Sequence, residues 1–300
     1  AQSVEDLKDI QEDLNNVIRI LKTKGVKTRY ITKLVSSLNI KIYKKLFSMV
    51  MPEELKDECC LVVLGSEGRG EQIIKTDQDN ALIIKDGLDV ELFKEPMLKL
   101  NSYLLDLGFP VCPGNVMVSN EFWRRDVSGY KTLIKTLANS MDESKLQTLS
   151  IILDAKAAAG NEALLEDVMN YLHTNFHSRD DVLAHMAKAV LSFETPLSLF
   201  SSFVTEKTHN NKLDIKKGGI FALVHGIRTL SLQYEVSVTN TVERIKELNN
   251  KGVIDKNFAT ELIESFDTLI AIRLDAQSND RDENYVNPVN LEKNQRDLLK

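Results

Sequence analysis

Apolar residues recur at three- and four-residue intervals over the first fifty positions. Leu7, Ile10, Leu14, Val17, Ile18 and Leu21 form a stripe that predicts a helix over 4–21. Residues 27–50 continue in the same style until Pro52 breaks the pattern. The character then changes. Cys59 to Leu64 is a short, continuous apolar run ending in Gly65-Ser66, the pattern of a buried strand that enters a turn, and Asn80 to Ile84 repeats it. A helix is predicted over 90–107. Gly108, Pro110, Pro113 and Gly114 punctuate the next stretch, with a short strand expected at 116–118 and a helix at 121–142. The apolar run Leu149 to Leu153, ending at Asp154, reads as a further strand. From Ala157 onward the pattern is helical, with candidates at 162–172, 181–203, 220–234, 241–248 and 258–276. The expected class is α+β, a small mixed-sheet core between helical parts. The expected division is an N-terminal helical arm over 1–50, a core over 51–160 and a helical C-terminal domain over 161–300.

Composition narrows this picture modestly. The chain has 300 residues, 43% hydrophobic and 27% charged, enough for a sizeable core without staples. A net charge of −6, with no basic stripe interleaved with aromatics, argues against a nucleic-acid polymer as substrate. Cys59, Cys60 and Cys112 are too few and too irregular for a disulfide framework and read as buried, reduced thiols of a cytoplasmic protein. No apolar run is long enough to span a membrane, so no membrane partner is expected. The chain opens on Ala1, which suggests a fragment of a longer protein.

The chemistry concentrates in Leu61-Val-Val-Leu-Gly-Ser-Glu-Gly-Arg-Gly-Glu-Gln followed by Thr76-Asp-Gln-Asp-Asn. Glycines after a strand let the backbone approach a phosphate, and amides at a helix start favour anions. The Ser66 hydroxyl can add a hydrogen bond and Arg69 a charge suited to phosphate. Asp77 and Asp79 are two apart, so on an extended segment they share a face while Gln78 takes the other. Two adjacent carboxylates repel unless a cation lies between them, and Mg²⁺ prefers such oxygens and also holds phosphates. Asp-x-Asp alone is a common solvated turn; joined to strand, Gly-Ser and short helix, it points to a phosphate cradle facing a metal site.

That combination resembles the DNA polymerase β-like nucleotidyltransferase superfamily. The chain is more closely similar to bacterial nucleotidyltransferases often fused to CBS and cyclic-nucleotide-binding domains, relatives of the PII-protein uridylyltransferases and glutamine synthetase adenylyltransferases. Besides the two motifs above, Gly108-Phe-Pro-Val-Cys-Pro-Gly-Asn-Val-Met, Trp123-Arg-Arg, Asp154, Lys217-Gly-Gly-Ile, Asn240-Thr-Val-Glu-Arg and Asn284-Tyr-Val-Asn-Pro carry the resemblance, which runs from about residue 15 to the C-terminus. It implies Mg²⁺-dependent transfer of a nucleoside monophosphate from an NTP, UTP or ATP, to an acceptor hydroxyl. The acceptor would be a protein, as in PII uridylylation. Asp77, Asp79 and Asp154 would hold two Mg²⁺ ions, Asp154 acting as base from a strand, and Gly65 and Ser66 would hold the β- and γ-phosphates. Regulatory domains would be missing from this fragment. The alternative is a nucleotide-binding sensor module with little turnover.

Each further candidate has a plainer role beside the chemical one. Asp154 could instead cap the following helix. Lys216 and Lys217 could reach a triphosphate or merely start a helix that packs closely at its glycines; the acidic or arginine pair of the relatives is replaced here by Phe221 and Ala222. Trp123-Arg124-Arg125 could hold phosphate or form a solvated helix face. His225, in an apolar helical run, reads as a core histidine.

Overall fold

A computed structural model describes residues 3–73, 77–140, 142–191, 212–278 and 284–298. The chain divides into two compact units, Ala1–Phe176 and His177–Lys300.

The first unit opens with two helices, α1 (Val4–Thr23) and α2 (Thr28–Val50). Ser3 caps α1 with a reciprocal Ser3–Asp6 box, two otherwise orphaned amides being satisfied at once. Leu7, Leu14 and Ile18 of the α1 stripe are buried, whereas Ile10 and Val17 lie on its exposed flank. The strands β1 (Cys59–Val63) and β2 (Asn80–Ile84) then flank the short helix α3 (Gly65–Gly68). Helix α4 (Lys94–Asp106), strand β3 (Arg124–Asp126), helices α5 (Val127–Ala138) and α6 (Glu143–Ile152), strand β4 (Lys156–Gly160) and helix α7 (Glu162–Phe176) complete the unit.

The four strands form one mixed sheet in the order β3-β2-β1-β4, with β1 antiparallel to β2 and β4, and β2 parallel to β3. Both central strands are buried end to end, which explains their unbroken apolar runs. Leu61, Val63, Leu82 and Ile84 face a core completed by Tyr43, Leu46 and Phe47 of α2 and Met97, Leu100 and Leu104 of α4. Cys60, Val62, Ala81 and Ile83 alternate to the other face, where α5 and α7 pack.

Three local expectations are corrected here. Residues 116–118 form no strand; the third strand is Arg124–Asp126, inside the segment expected to be helical from 121. Its residues are polar, and parallel pairing with β2, not apolar periodicity, makes them a strand. The run 149–153 is the end of α6 and the turn after it, with Leu146, Leu149 and Ile152 buried at helical spacing. The strand follows at Lys-Ala-Ala-Ala-Gly; alanines favour helix intrinsically, and pairing with β1 overrides that preference.

The second unit comprises α8 (Asp180–Leu191), β5 (Leu213–Asp214), a π-helical turn at Lys216–Phe221, α9 (Ala222–Gln233), α10 (Thr241–Asn250), α11 (Lys256–Ser278), β6 (Tyr285–Val286) and α12 (Lys293–Leu298). The expected helix over 181–203 is described as far as Leu191; its remainder lies outside the described residues. An antiparallel pairing of β5 with β6, absent from the sequence reading, joins the two flanks of this unit. A cavity of about 630 Å³ opens among Leu183, Ala187, Leu223, Ile227, Leu230 and Phe258.

Asn80 ties the sheet to the loop that follows α4. Its amide donates to the Val116 carbonyl, its side-chain oxygen accepts from the Val118 amide at 2.8 Å, and Gln78 N–H donates to the Pro110 carbonyl. Replacing Asn80 with Ala would orphan a buried amide, so Asn80→Ala should lose about 1–3 kcal/mol. Urea unfolding checks this as a lower midpoint at unchanged slope; an unchanged midpoint would show the clamp to be dispensable.

Candidate functional site

β1 delivers the chain into Gly65 at positive φ, +54°, and a side chain there would meet Asp79 Oδ2 at 2.6 Å. Glycine thus lets the turn lie directly against a carboxylate. The Leu64 amide donates to the Asp79 carbonyl, continuing the β1–β2 pairing past the end of the strands. At the other end of the turn, a Cβ on Gly68 would fall 2.0 Å from the Asp154 carbonyl oxygen and 2.8 Å from that of Val63. The four-residue turn is therefore seated with one glycine against a carboxylate side chain and the other against main chain.

Asp77-Gln78-Asp79 runs into β2 in extended form. Gln78 is buried, and Asp77 and Asp79 are half-buried on the opposite side, as two-residue spacing requires. Their carboxylate oxygens and the Cys112 sulfur lie within 4.8 Å of one another, a set that could hold a metal ion. Cys112 belongs to the loop clamped by Gln78 and Asn80. Burial, then the negative charge of Asp79, push its thiol up to about 12. All three cysteines are free and buried, as expected, but Cys112 had shown no sign of a place beside the carboxylates. It lies in the Gly108-Phe-Pro-Val-Cys-Pro-Gly segment, whose position against β2 is a tertiary fact.

Asp154 lies in the turn between α6 and β4, wholly buried. It is not one of the three residues, Asp77, Asp79 and Cys112, whose possible ligand atoms converge. Its carboxylate accepts from Arg69 Nη1 at 2.5 Å, while Arg69 Nε donates to Glu71 at 2.7 Å. Burial alone would lower the Arg69 pKa; Asp154 and Glu71 outweigh it and hold it above its ordinary value. Arg69, expected to face phosphate, is nine-tenths buried between two carboxylates. Ser66 is half-buried in the turn.

A buried polar chain connects α2 to this turn. Asn39 Nδ2 donates to Glu67 Oε2 at 2.9 Å and to Gln72 Oε1 at 2.8 Å, and Gln72 Nε2 donates, at 3.4 Å, to the Asp77 carbonyl. Burial raises the Glu67 carboxyl to about 7, against opposing hydrogen bonds from Asn39 and Ser36.

Of the remaining candidates, Trp123-Arg124-Arg125 is not the solvated helix face expected as its plainer role, because pairing with β2 makes Arg124–Asp126 a strand. Trp123 and Arg124 are buried, Arg124 donating to the Val118 carbonyl, and Arg125 stacks on Phe122 while donating to its carbonyl. His225 is a core histidine whose Nε2 meets the Met186 carbonyl at 3.1 Å. Lys216 and Lys217 belong to the second unit, at the π-helical turn, where Lys217 N–H donates to Asp214.

Residues 12–144 match the family model described as "Putative nucleotidyltransferase DUF294", and residues 180–300 the model described as "Putative nucleotidyltransferase substrate binding domain". Together they cover most of the chain. No curated protein matches it. Among the described residues, no helix is long and apolar enough to cross a membrane.

Because the folded protein holds the Glu67 proton to about pH 7 and the unfolded chain releases it near 4.5, the native state binds the extra proton between those values. This contribution is full below about 4.5 and is lost as pH rises to about 7, at about 1.4 kcal/mol per pH unit, about 3 in all. Glu67→Gln carries no such proton. Urea unfolding from pH 5 to 8 should therefore show wild type losing about 2.5 kcal/mol relative to the variant; parallel curves would refute the buried, protonated state.

Proposed function

The chain belongs to the DUF294 family of putative nucleotidyltransferases, and on that premise we propose that it transfers a nucleoside monophosphate from an NTP to an acceptor hydroxyl, releasing pyrophosphate. The observation that carries this reading is the contact between the Gly65 turn and Asp79, with Asp77 alongside, because it sets an anion-tolerant backbone against a carboxylate pair that could hold a metal. The donor chemistry fits a divalent cation: two carboxylates converge, and a bound cation would offset their repulsion. Such ions, Mg²⁺ in the first instance and two by the superfamily pattern, would neutralise the triphosphate and stabilise both attacking and leaving oxygens.

The protein's own groups would do the rest. Gly65 and Ser66 would cradle the β- and γ-phosphates. Asp77 and Asp79 would hold the cations, with the Asp77 backbone fixed by Gln72. Asp154 enters through Arg69, as the buried counter-ion that keeps the turn rigid. The description of residues 180–300 as a substrate-binding domain supports a division into helical arm, catalytic core and acceptor-binding part. There Lys216 and Lys217 are candidate triphosphate contacts. A protein acceptor and UTP or ATP as donor complete the proposal on the strength of the PII-type resemblance, and the three reduced thiols support a cytoplasmic setting.

The engagement of Asp154 by Arg69 favours a second reading, a nucleotide-binding regulatory module with little turnover. Incubation with each labelled NTP, Mg²⁺ and cell extract separates the two: a labelled protein or small product supports transfer, and tight binding without any product supports the sensor.

Asp77→Ala and Asp79→Ala should each remove the Mg²⁺ dependence of NTP affinity in calorimetry, with the fold intact because a like-charge repulsion is relieved. Equal, Mg²⁺-dependent affinity in wild type and both variants would sink the site. For Asp154→Asn, the counter-ion role predicts a stability loss of up to about 3 kcal/mol, since buried Arg69 loses one of its two carboxylate partners and keeps Glu71. Unchanged stability with turnover down about 10²-fold or more would make Asp154 the general base instead.

A further inference from the structure

Resting on the metal-centred reading above, we propose that Cys112 is a third protein ligand of that site, which therefore takes a borderline divalent cation such as Co²⁺ or Zn²⁺ more tightly than an all-oxygen site would. Three donor atoms of two kinds, the carboxylate oxygens of Asp77 and Asp79 and the Cys112 sulfur, lie within 4.8 Å of one another. That spacing suits one ion with metal–oxygen bonds of about 2.1 Å and a metal–sulfur bond of about 2.3 Å.

The convergence is built into the backbone. Cys112 is 53 residue numbers beyond Cys59 at the start of β1, on a loop held to the Asp-x-Asp segment by the Gln78 amide on Pro110 and the Asn80 amide on Val116. Asp77 is held through Gln72, and Asp79 through Leu64 and the bare face of Gly65. The sulfur is buried and turned toward Asp79. Cys59, by contrast, belongs to the sheet core, its thiol donating to the Leu55 carbonyl at 3.4 Å.

Ligand hardness sets the expected selectivity. Mg²⁺ takes oxygen donors and water, so it would use the two carboxylates and leave the sulfur aside. Thiolate sulfur prefers softer ions. On binding one of these, the metal–sulfur bond forms as the S–H bond breaks, and the proton leaves to solvent; no electron transfer is involved.

The test uses the whole chain, reduced and metal-free, titrated with Co²⁺ and separately with Mg²⁺ in the presence of a non-hydrolysable NTP analogue. Expected is a thiolate-to-cobalt charge-transfer band in the near ultraviolet, absent in Cys112→Ser and in Asp79→Asn. By equilibrium dialysis, Co²⁺ affinity should fall about tenfold or more in Cys112→Ser, while Mg²⁺ affinity changes by less than about twofold. Co²⁺ bound without the band, with equal affinity in wild type and Cys112→Ser, overturns the proposal and leaves the metal-centred reading standing. No binding of either ion overturns both. If Cys112→Ser fails to fold, the wild-type band and its loss in Asp79→Asn decide the matter.

Discussion

The close approach of two glycines of one turn to two acidic residues is the constraint on which the first unit depends. Gly65 abuts the Asp79 carboxylate and Gly68 abuts the Asp154 carbonyl. The turn is thereby held between the strand that carries one and the turn that carries the other. Any Cβ at Gly68 would have to push back main chain rather than a flexible side chain, and main chain in a four-stranded sheet yields little. The order β3-β2-β1-β4 follows in part from the same seat, since Asp79 leads into β2 and Asp154 into β4, on either side of β1.

Around that seat the charges are arranged so that each buried ion has a partner. Arg69 lies between Asp154 and Glu71, one guanidinium serving two carboxylates. Such an arrangement adds little net stability over apolar packing, but losing one member strands another in a low-dielectric interior. It specifies geometry more than it adds stability. The Asn39–Glu67–Gln72 chain does the corresponding task for the N-terminal arm, attaching α2 to the glycine turn and, through Gln72, to the backbone of Asp77. The arm is thus part of the site's support as well as cover for one face of the sheet.

Cys112 shows how loop placement changes the chemistry available to a motif. An Asp-x-Asp pair alone is a hard-oxygen site. A thiol within 4.8 Å of both carboxylates offers a donor of a second kind, and the loop that carries it is held by backbone hydrogen bonds from Gln78 and Asn80. Those residues stand beside the acidic pair in sequence, so one short segment presents the carboxylates and recruits the loop.

Much was legible without coordinates. The periodicity of α1 and α2, the unbroken apolar runs of β1 and β2 and the two-residue spacing of Asp77 and Asp79 are local properties, and the structure follows them. These patterns survive because both central strands are buried on two faces and the arm helices on one, so burial imposes a period that the sequence must display. Tertiary structure alone decided the rest. Arg124–Asp126 and Lys156–Gly160 became strands because a central strand offered each a hydrogen-bonding edge, which no local preference of polar or alanine residues announces. Arg69 and Asp154, 85 positions apart, each looked suited to a ligand, but their burial against one another is a long-range pairing. Cys112 beside Asp79 is another. Sequence periodicity records which face of an element is buried; it carries no record of which distant charge or thiol is buried with it.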